Sequence, residues 1–249
     1  MIHSGSRGLG HQVCEDFINS LKNVPKRYGI DLPDPQLVCA PVKTPEGQAY
    51  LGAMRAAANY AWANRQIILY LVRKALVQSM KMSEKELGME LIYDVAHNIA
   101  KLEEHEIDGK RKTLCIHRKG ATRAFPPGHP ELPEDYRAIG QPVIIPGDMG
   151  RNSYLLVGAP GAMKETFGST CHGAGRRMSR HAAIRAAKGR SIQRELAQKG
   201  IVAMARGRDG LAEEQPDAYK DVNEVVEVVC RAGLSRKIAK LRPLGVIKG

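Results

Sequence analysis

Of the eight histidines in the chain, three stand where glycines or a strand end bring backbone and side chain close to a ligand. They are His3 in HSGSRG, His97 in DVAHNIAK and His172 in GSTCHGAGRR. Neutral imidazole is the commonest metal ligand, and a strand end is a rigid mount for one. In the run Cys171-His172-Gly173-Ala174-Gly175-Arg176-Arg177 the glycines let a phosphate reach the backbone amides, and the two arginines supply matching charge. A histidine so placed can attack phosphorus, or it can merely donate a hydrogen bond in an anion-binding turn. Cys171 is the competing nucleophile, but no general base is evident near it in sequence. A second glycine block, Pro146-Gly147-Asp148-Met149-Gly150-Arg151-Asn152-Ser153, is neither a Walker loop nor a dinucleotide fingerprint. Its Asp148 either pairs with a guanine edge or caps the turn.

The charge pattern points to a polyanion. The net charge is +12, and the excess is clustered. Arg176, Arg177, Arg180, Arg185, Lys188 and Arg190 follow His172 with no carboxylate among them, and Lys110, Arg111, Lys112, Arg118, Lys119 and Arg123 form a second such run. Phosphate neutralisation needs clustered cations, whereas a solvated basic surface is the plainer reading of the same pattern. The five cysteines are widely spaced and form no CxxC pair, which argues against a disulfide framework or a structural zinc site. No apolar run approaches the roughly 20 residues of a membrane span, and no signal-peptide pattern opens the chain, so a reducing cytoplasm is the expected location.

These residues need elements to position them. The pattern predicts a helix from about His11 to Leu21, an ordered Pro-rich loop from Pro25 to Pro45, and a long helix from Glu46 to about Met80. On that helix Leu51, Met54, Ala58, Ala61 and Trp62 form a core stripe. Ser83-Glu84-Lys85-Glu86 has capping-box spacing. Leu91 to Ala96 reads as a buried strand ending at His97-Asn98, and Thr113 to Arg118 as a strand of a hairpin. Val143 to Ile145 and Ser153 to Val157 flank the second glycine block. Met178 to Lys199 reads as one or two helices broken at Gly189, and Pro216 to Cys230 as a helix with Val222, Val225, Val226 and Val229 on one face. The tail from Leu241 to Gly249 reads as a docked segment. Helices and strands mix without βαβ alternation, which makes the expected class α+β, mixed sheets with surrounding helices.

Five blocks, HSGSRGLGHQV (His3 to Val13), YDVAHNIAK (Tyr93 to Lys101), PGDMGRNSYLLVG (Pro146 to Gly158), FGSTCHGAGRRMSR (Phe167 to Arg180) and LRPLGVIKG (Leu241 to Gly249), resemble those of RtcB-type RNA-splicing ligases in order and spacing. The resemblance covers essentially the whole chain. It implies an RtcB-like fold and a GTP- and manganese-dependent ligase that joins an RNA 3′-phosphate or 2′,3′-cyclic phosphate to a 5′-hydroxyl, as in tRNA splicing and RNA repair. By carry-over His172 takes the guanylate, and His3 and His97 bind manganese. Guanylate contacts fall on His97, Asn98, Pro146, Gly147, Asp148, Met149, Ser153, His172, Gly173, Ala174, Gly175, Tyr219 and Lys248. Arg7, Lys119, Arg176 and Arg180 are the RNA phosphate candidates.

Members of that family are about twice as long, and their N-terminal half brings further manganese ligands and part of the guanosine pocket. Residues 1–249 therefore read as the C-terminal catalytic part, with the N-terminal half absent and supplied in cis or in trans. The polar, glycine-rich opening at Met1 to Gly8, with no element ahead of it, points the same way. Expected partners are RNA, such as tRNA halves or broken RNA ends, that missing half, and an archease-like activator. The alternative is an RNA-binding, catalytically inert or split half. A manganese-dependent phosphoesterase is a third reading and rests on the histidines alone.

Overall fold

The computed structural model describes residues 1–249, the side chain of Arg208 excepted. The chain divides into two compact units, Met1–Ala100 and Lys101–Gly249.

The first unit is helical. Helix α1 (Arg7–Ser20) packs on the 36-residue helix α3 (Pro45–Met80), with short helices α2 (Val24–Arg27) and α4 (Glu84–Leu87) beside them. Thr44 opens α3 by accepting a hydrogen bond from the Gly47 amide, Pro45 takes the first helical position, and Lys81 ends it in the left-handed region at φ 53°. The Ser83–Glu86 capping box forms as the sequence predicts. Of the predicted α3 stripe, Leu51 and Ala61 are buried, whereas Met54, Ala58 and Trp62 are only half-buried. The predicted strand at Leu91 to Ala96 does not form: the segment is irregular, and Leu91 and Ile92 are exposed. A strand needs a neighbour to take its backbone hydrogen bonds. Regular pairing begins at Asn98, where β1 (Asn98–Ile107) meets β2 (Lys110–Lys119).

The turn of that hairpin is Asp108-Gly109, both at positive φ, the backbone that a two-residue hairpin turn requires. Beyond it β3 (Ala121–Arg123) pairs antiparallel with β6 (Ser169–Cys171). Strands β4 (Pro142–Ile145), β5 (Ser153–Gly158) and β8 (Ser235–Leu241) form an antiparallel sheet in the order β4-β5-β8. The amphipathic helix α10 (Val222–Arg231) packs Val222 and Val226 into one core with Val143, Ile145 and Leu156. It starts six residues later than the sequence suggests, at the Asp221 cap, because Pro216–Ala218 is a separate turn of 3-10 helix.

A second core gathers Met149, Ile192, Leu196, Ile201, Ala203 and Leu211. Its elements are α8 (Ile192–Gln198), β7 (Val202–Ala205) and α9 (Arg208–Glu213). The tail is docked as expected, through β9 (Gly245–Lys248), which pairs parallel with β7. Short helices α5 (Glu134–Arg137), α6 (Pro160–Thr166) and α7 (Arg180–Ala186) complete the unit, and the break between α7 and α8 falls at Gly189. The class is α+β as expected, but the sheets are not mixed: they are small and antiparallel, apart from the parallel β7–β9 pair, and lie among helices.

Candidate functional site

In the first unit the two predicted metal histidines meet. His3 Nε2 lies 3.0 Å from His97 Nε2, with the rings edge to face. Both segments are pinned by α3. Asn64 Nδ2 donates to Ser4 Oγ and to the Gly5 carbonyl at 3.0 and 2.9 Å, and Arg65 donates to the Ser4 carbonyl at 3.2 Å and to Asp94 Oδ1 at 2.7 Å. The Arg65–Asp94 pair is largely buried, so the helix fixes the chain three residues ahead of His97 as well as the one after His3. Asn64 and Arg65 are two among many polar residues of α3, and only folding marks them, with Asp94, as positioning residues. Two ring nitrogens bound to one cation at about 2.1 Å each, at right angles, stand about 3 Å apart. The pair therefore fits two positions of a coordination sphere. Among the described residues no group of three or more His, Cys, Asp or Glu could hold a metal. Asn98 is exposed at the start of β1, and Arg7 is exposed at the start of α1.

In the second unit His172 follows β6 directly and is half-buried. A Cβ on Gly120, in the turn between β2 and β3, would lie 3.9 Å from the His172 ring, so that turn passes over the imidazole. On the other side the Ala174 amide donates to the Pro146 carbonyl at 3.2 Å. The two glycine blocks that are far apart in sequence are thus joined into one loop pair. Gly147 donates its amide to Ser153 Oγ at 3.2 Å, and a Cβ at Gly147 would meet the Asn152 carbonyl at 2.0 Å, which is why glycine stands there. Asp148 takes the second of its two readings. Its carboxylate is fully buried, accepts from the Gly150 and Arg151 amides at 2.8 and 2.9 Å, and pairs with Arg151 Nη1 at 2.7 Å. That carboxylate caps the turn and is not free for a base edge. Met149 points its side chain into the second core at 2% exposure, so this part of the loop can offer a ligand backbone groups only.

Tyr219 and Lys248, expected as guanylate contacts, come together on a residue that the sequence did not single out. Glu214 accepts from the Tyr219 hydroxyl and lies 3.4 Å from Lys248 Nζ. Burial of the phenol and its bond to Glu214 push Tyr219 up to about 12. Burial alone would raise Glu214, but Tyr219, Lys248 and Arg176 together hold it below the usual carboxylate range.

Arg176 corrects an expectation. Its guanidinium donates to the Met178 carbonyl, to Glu214, to the Tyr219 hydroxyl and to the Glu213 carbonyl, at 2.8 to 3.1 Å. Four of a guanidinium's five N–H groups are thereby used, so the residue reads as an internal clamp and not as a phosphate contact. Arg180 reaches Glu213 but remains largely exposed, and Lys119 is exposed beside the Gly120 turn.

A family model described as tRNA-splicing ligase RtcB matches residues 1–249. The chain belongs to the RtcB family. It is 61% identical over 249 residues to the tRNA-splicing ligase RtcB of Archaeoglobus fulgidus and 54% identical to that of Thermococcus kodakarensis, covering 100% of this chain and 52% of each relative. The RNA-splicing ligase RtcB of Mycobacterium bovis is 51% identical, with 56% of its length covered. The chain therefore spans about half the length of these RtcB relatives.

Against that family background two sequence readings change. The carboxylate-free runs are neutralised in part by acids outside them. Arg118 is buried in an ion pair with Glu103, Arg123 pairs with Glu131, and Arg190 pairs with Glu195 and Asp217. Cys171 is removed as a nucleophile because burial pushes its thiol up to about 11. About one molecule in a thousand would carry a Cys171 thiolate at pH 8, too few for thiolate chemistry. Iodoacetamide at that pH is expected to modify the exposed Cys14 and leave Cys171 intact, as read by peptide mass; equal labelling of the two would contradict the buried thiol.

Proposed function

We propose that this chain carries the guanylate-transfer chemistry of a GTP- and manganese-dependent RNA ligase, which joins RNA 3′-phosphate or 2′,3′-cyclic phosphate ends to 5′-hydroxyl ends. The observation that carries the reading is His172 seated between the Gly120 turn and the joined glycine blocks, at a hydrogen bond from Ala174 to Pro146. A neutral imidazole nitrogen attacks the α-phosphorus of GTP, a phosphorus–nitrogen bond forms, and pyrophosphate leaves. The guanylate then passes to the RNA 3′-phosphate, and the 5′-hydroxyl displaces GMP. Backbone amides of the glycine loops and the Lys248 ammonium meet the phosphate charge, so the steps depend on positioning and electrostatics more than on an acid-base pair.

His3 and His97 fit as two ligands of the manganese ion, which when bound neutralises triphosphate charge. The remaining ligands come from further RtcB polypeptide, in cis or in trans, and an archease-like activator and tRNA halves are the natural partners of such an enzyme. The free cysteines accord with a reducing cytoplasm, and among the described residues no helix is long and apolar enough to cross a membrane. Exposed Arg180, Lys119 and Arg7 remain the cations for RNA phosphate.

The test is direct. The chain is incubated with manganese and GTP labelled at the α-phosphate, and protein-bound label is measured after denaturation. Label on the protein supports the ligase reading. RNA binding without any label supports the second reading, an inert RNA-binding half. Loss of His97 is a separate prediction: His97→Ala is expected to lower manganese affinity about 10-fold or more in a titration of free manganese by electron paramagnetic resonance. Wild-type affinity in that variant would remove His97 from the metal.

A further inference from the structure

Three separate segments of the second unit converge on the carboxylate of Glu214, the residue that caps the end of α9. Arg176 Nη1 donates to Oε1 at 3.1 Å, the Tyr219 hydroxyl donates to Oε2, and Lys248 Nζ stands 3.4 Å from Oε2. Arg176 also stacks over the Tyr219 ring at 4.9 Å and donates to its hydroxyl at 2.9 Å. Backbone ties the cluster to the turn after His172: Arg176 and Tyr219 form an antiparallel bridge, and the Lys220 amide donates to the Gly175 carbonyl at 3.0 Å.

We infer that Glu214 is a positioning residue for the guanylate site, holding the Lys248 ammonium and the Tyr219 phenol in place beside the glycine turn that follows His172. The inference rests on the guanylate reading given above. The three contacts are unequal, and that inequality carries the argument. Arg176 donates to four acceptors and is fixed in place, whereas Lys248 makes one long contact, is 38% exposed at its side chain and keeps two of its three N–H groups for another acceptor. Glu214 thus restrains the lysine without satisfying it. A nucleotide phosphate arriving beside Gly175 can draw the ammonium across while Arg176 continues to neutralise the carboxylate. An ion pair with a purely structural role would not need a half-exposed lysine as its third partner.

The experiment compares the wild-type chain with Glu214→Gln, Glu214→Asp, Lys248→Met and the Glu214→Gln/Lys248→Met double variant. It uses carbon-13 NMR of the Tyr219 ring carbon in the nucleotide-free chain and GTP binding at equilibrium. Removing the carboxylate acceptor in Glu214→Gln is expected to return the Tyr219 ionisation from about 12 toward its ordinary value. GTP affinity should fall about 10-fold, the size of one hydrogen bond to a charged group. Lys248→Met should weaken binding by a similar factor, the double variant should be no worse than either single one, and Glu214→Asp should recover part of the loss where Glu214→Gln does not. Additive losses, or an unmoved Tyr219 signal, with normal GTP binding by the wild type overturn the assignment alone. A wild-type chain that binds no GTP while Tyr219 still responds to Glu214→Gln overturns the guanylate reading and the assignment with it.

Discussion

His172→Ala is expected to abolish the protein-linked guanylate, with label in the wild-type chain mapping to the Phe167 to Arg176 segment. The argument begins with local chemistry. Imidazole is a good nucleophile toward phosphorus; the His172 ring is half-buried, follows β6 directly and lies under the Gly120 turn, where an added Cβ would come within 3.9 Å of it. Gly173 and Ala174 continue straight into the hydrogen bond with Pro146, so the backbone amides that would meet the phosphate are held by the same loop that holds the nucleophile. Lys248 is the serious rival, since a lysine can form the same kind of phosphorus–nitrogen bond. It ends, however, in an ion pair with Glu214, and an ammonium so paired has no lone pair to attack with. Cys171 is disfavoured by the burial that raises its thiol. Both candidate linkages are acid-labile and alkali-stable, so acid lability does not separate them and peptide mapping does. Label on the Lys248 peptide, or label that survives in His172→Ala, would overturn the mechanism.

The parts of the site that were legible in the sequence are those whose chemistry is carried by short contiguous blocks. His172 with its glycines, the Pro146 to Ser153 loop and the paired His3 and His97 are such blocks, and the helices around them follow from apolar spacing, the Thr44 and Ser83 caps and the breaks at Gly189 and Gly200. What stayed hidden depends on contacts between distant segments. Glu214 and Arg65 look like ordinary helix residues until folding brings Lys248 and Asp94 to them. The charge runs misled for the same reason, because a stretch without acids can be neutralised by acids far along the chain, as Arg176 is by Glu214, 38 residues away. The strand expected at Leu91 to Ala96 failed on a different ground. Its β-type residues describe a segment that could pair, but pairing is a property of two segments, and among the described residues this one has no strand neighbour.

Arg118→Met is expected to destabilise the second unit by about 3–5 kcal/mol, the usual result of leaving one member of a buried ion pair uncompensated. Arg118 Nη1 and Nη2 donate to the two oxygens of Glu103 at 2.7 and 2.8 Å, with both side chains 1% exposed. The same guanidinium donates to Ser169 Oγ at 2.9 Å and to the Phe167 carbonyl at 3.0 Å, so it fastens the β1–β2 hairpin to the strand that leads into His172. Loss of the arginine therefore weakens the fold and loosens the mount of His172 together. The pH dependence gives a sharper test than the magnitude. In the wild type, burial would raise Glu103, but Arg118 more than offsets it and holds the carboxyl below the ordinary carboxylate range. A carboxyl lowered in the folded state contributes stability that is present above its unfolded value and is lost as pH falls through the folded one. In Arg118→Met, burial dominates and the sign reverses: a raised carboxyl costs stability at neutral pH and regains it on acidification. His105, 3.3 Å from Glu103, and Arg123, at 4.0 Å, will soften that reversal without cancelling it. Urea midpoints at constant m-value should hold level for the wild type between pH 7 and pH 5 and fall only below the ordinary carboxylate value of 4.5, whereas those of the variant should rise as pH falls from 7 to 5. The double change Glu103→Leu/Arg118→Met, which removes both charges, should cost less than Arg118→Met alone. A variant whose midpoint matches the wild type at pH 7 would show that the buried pair does not hold the hairpin to β6.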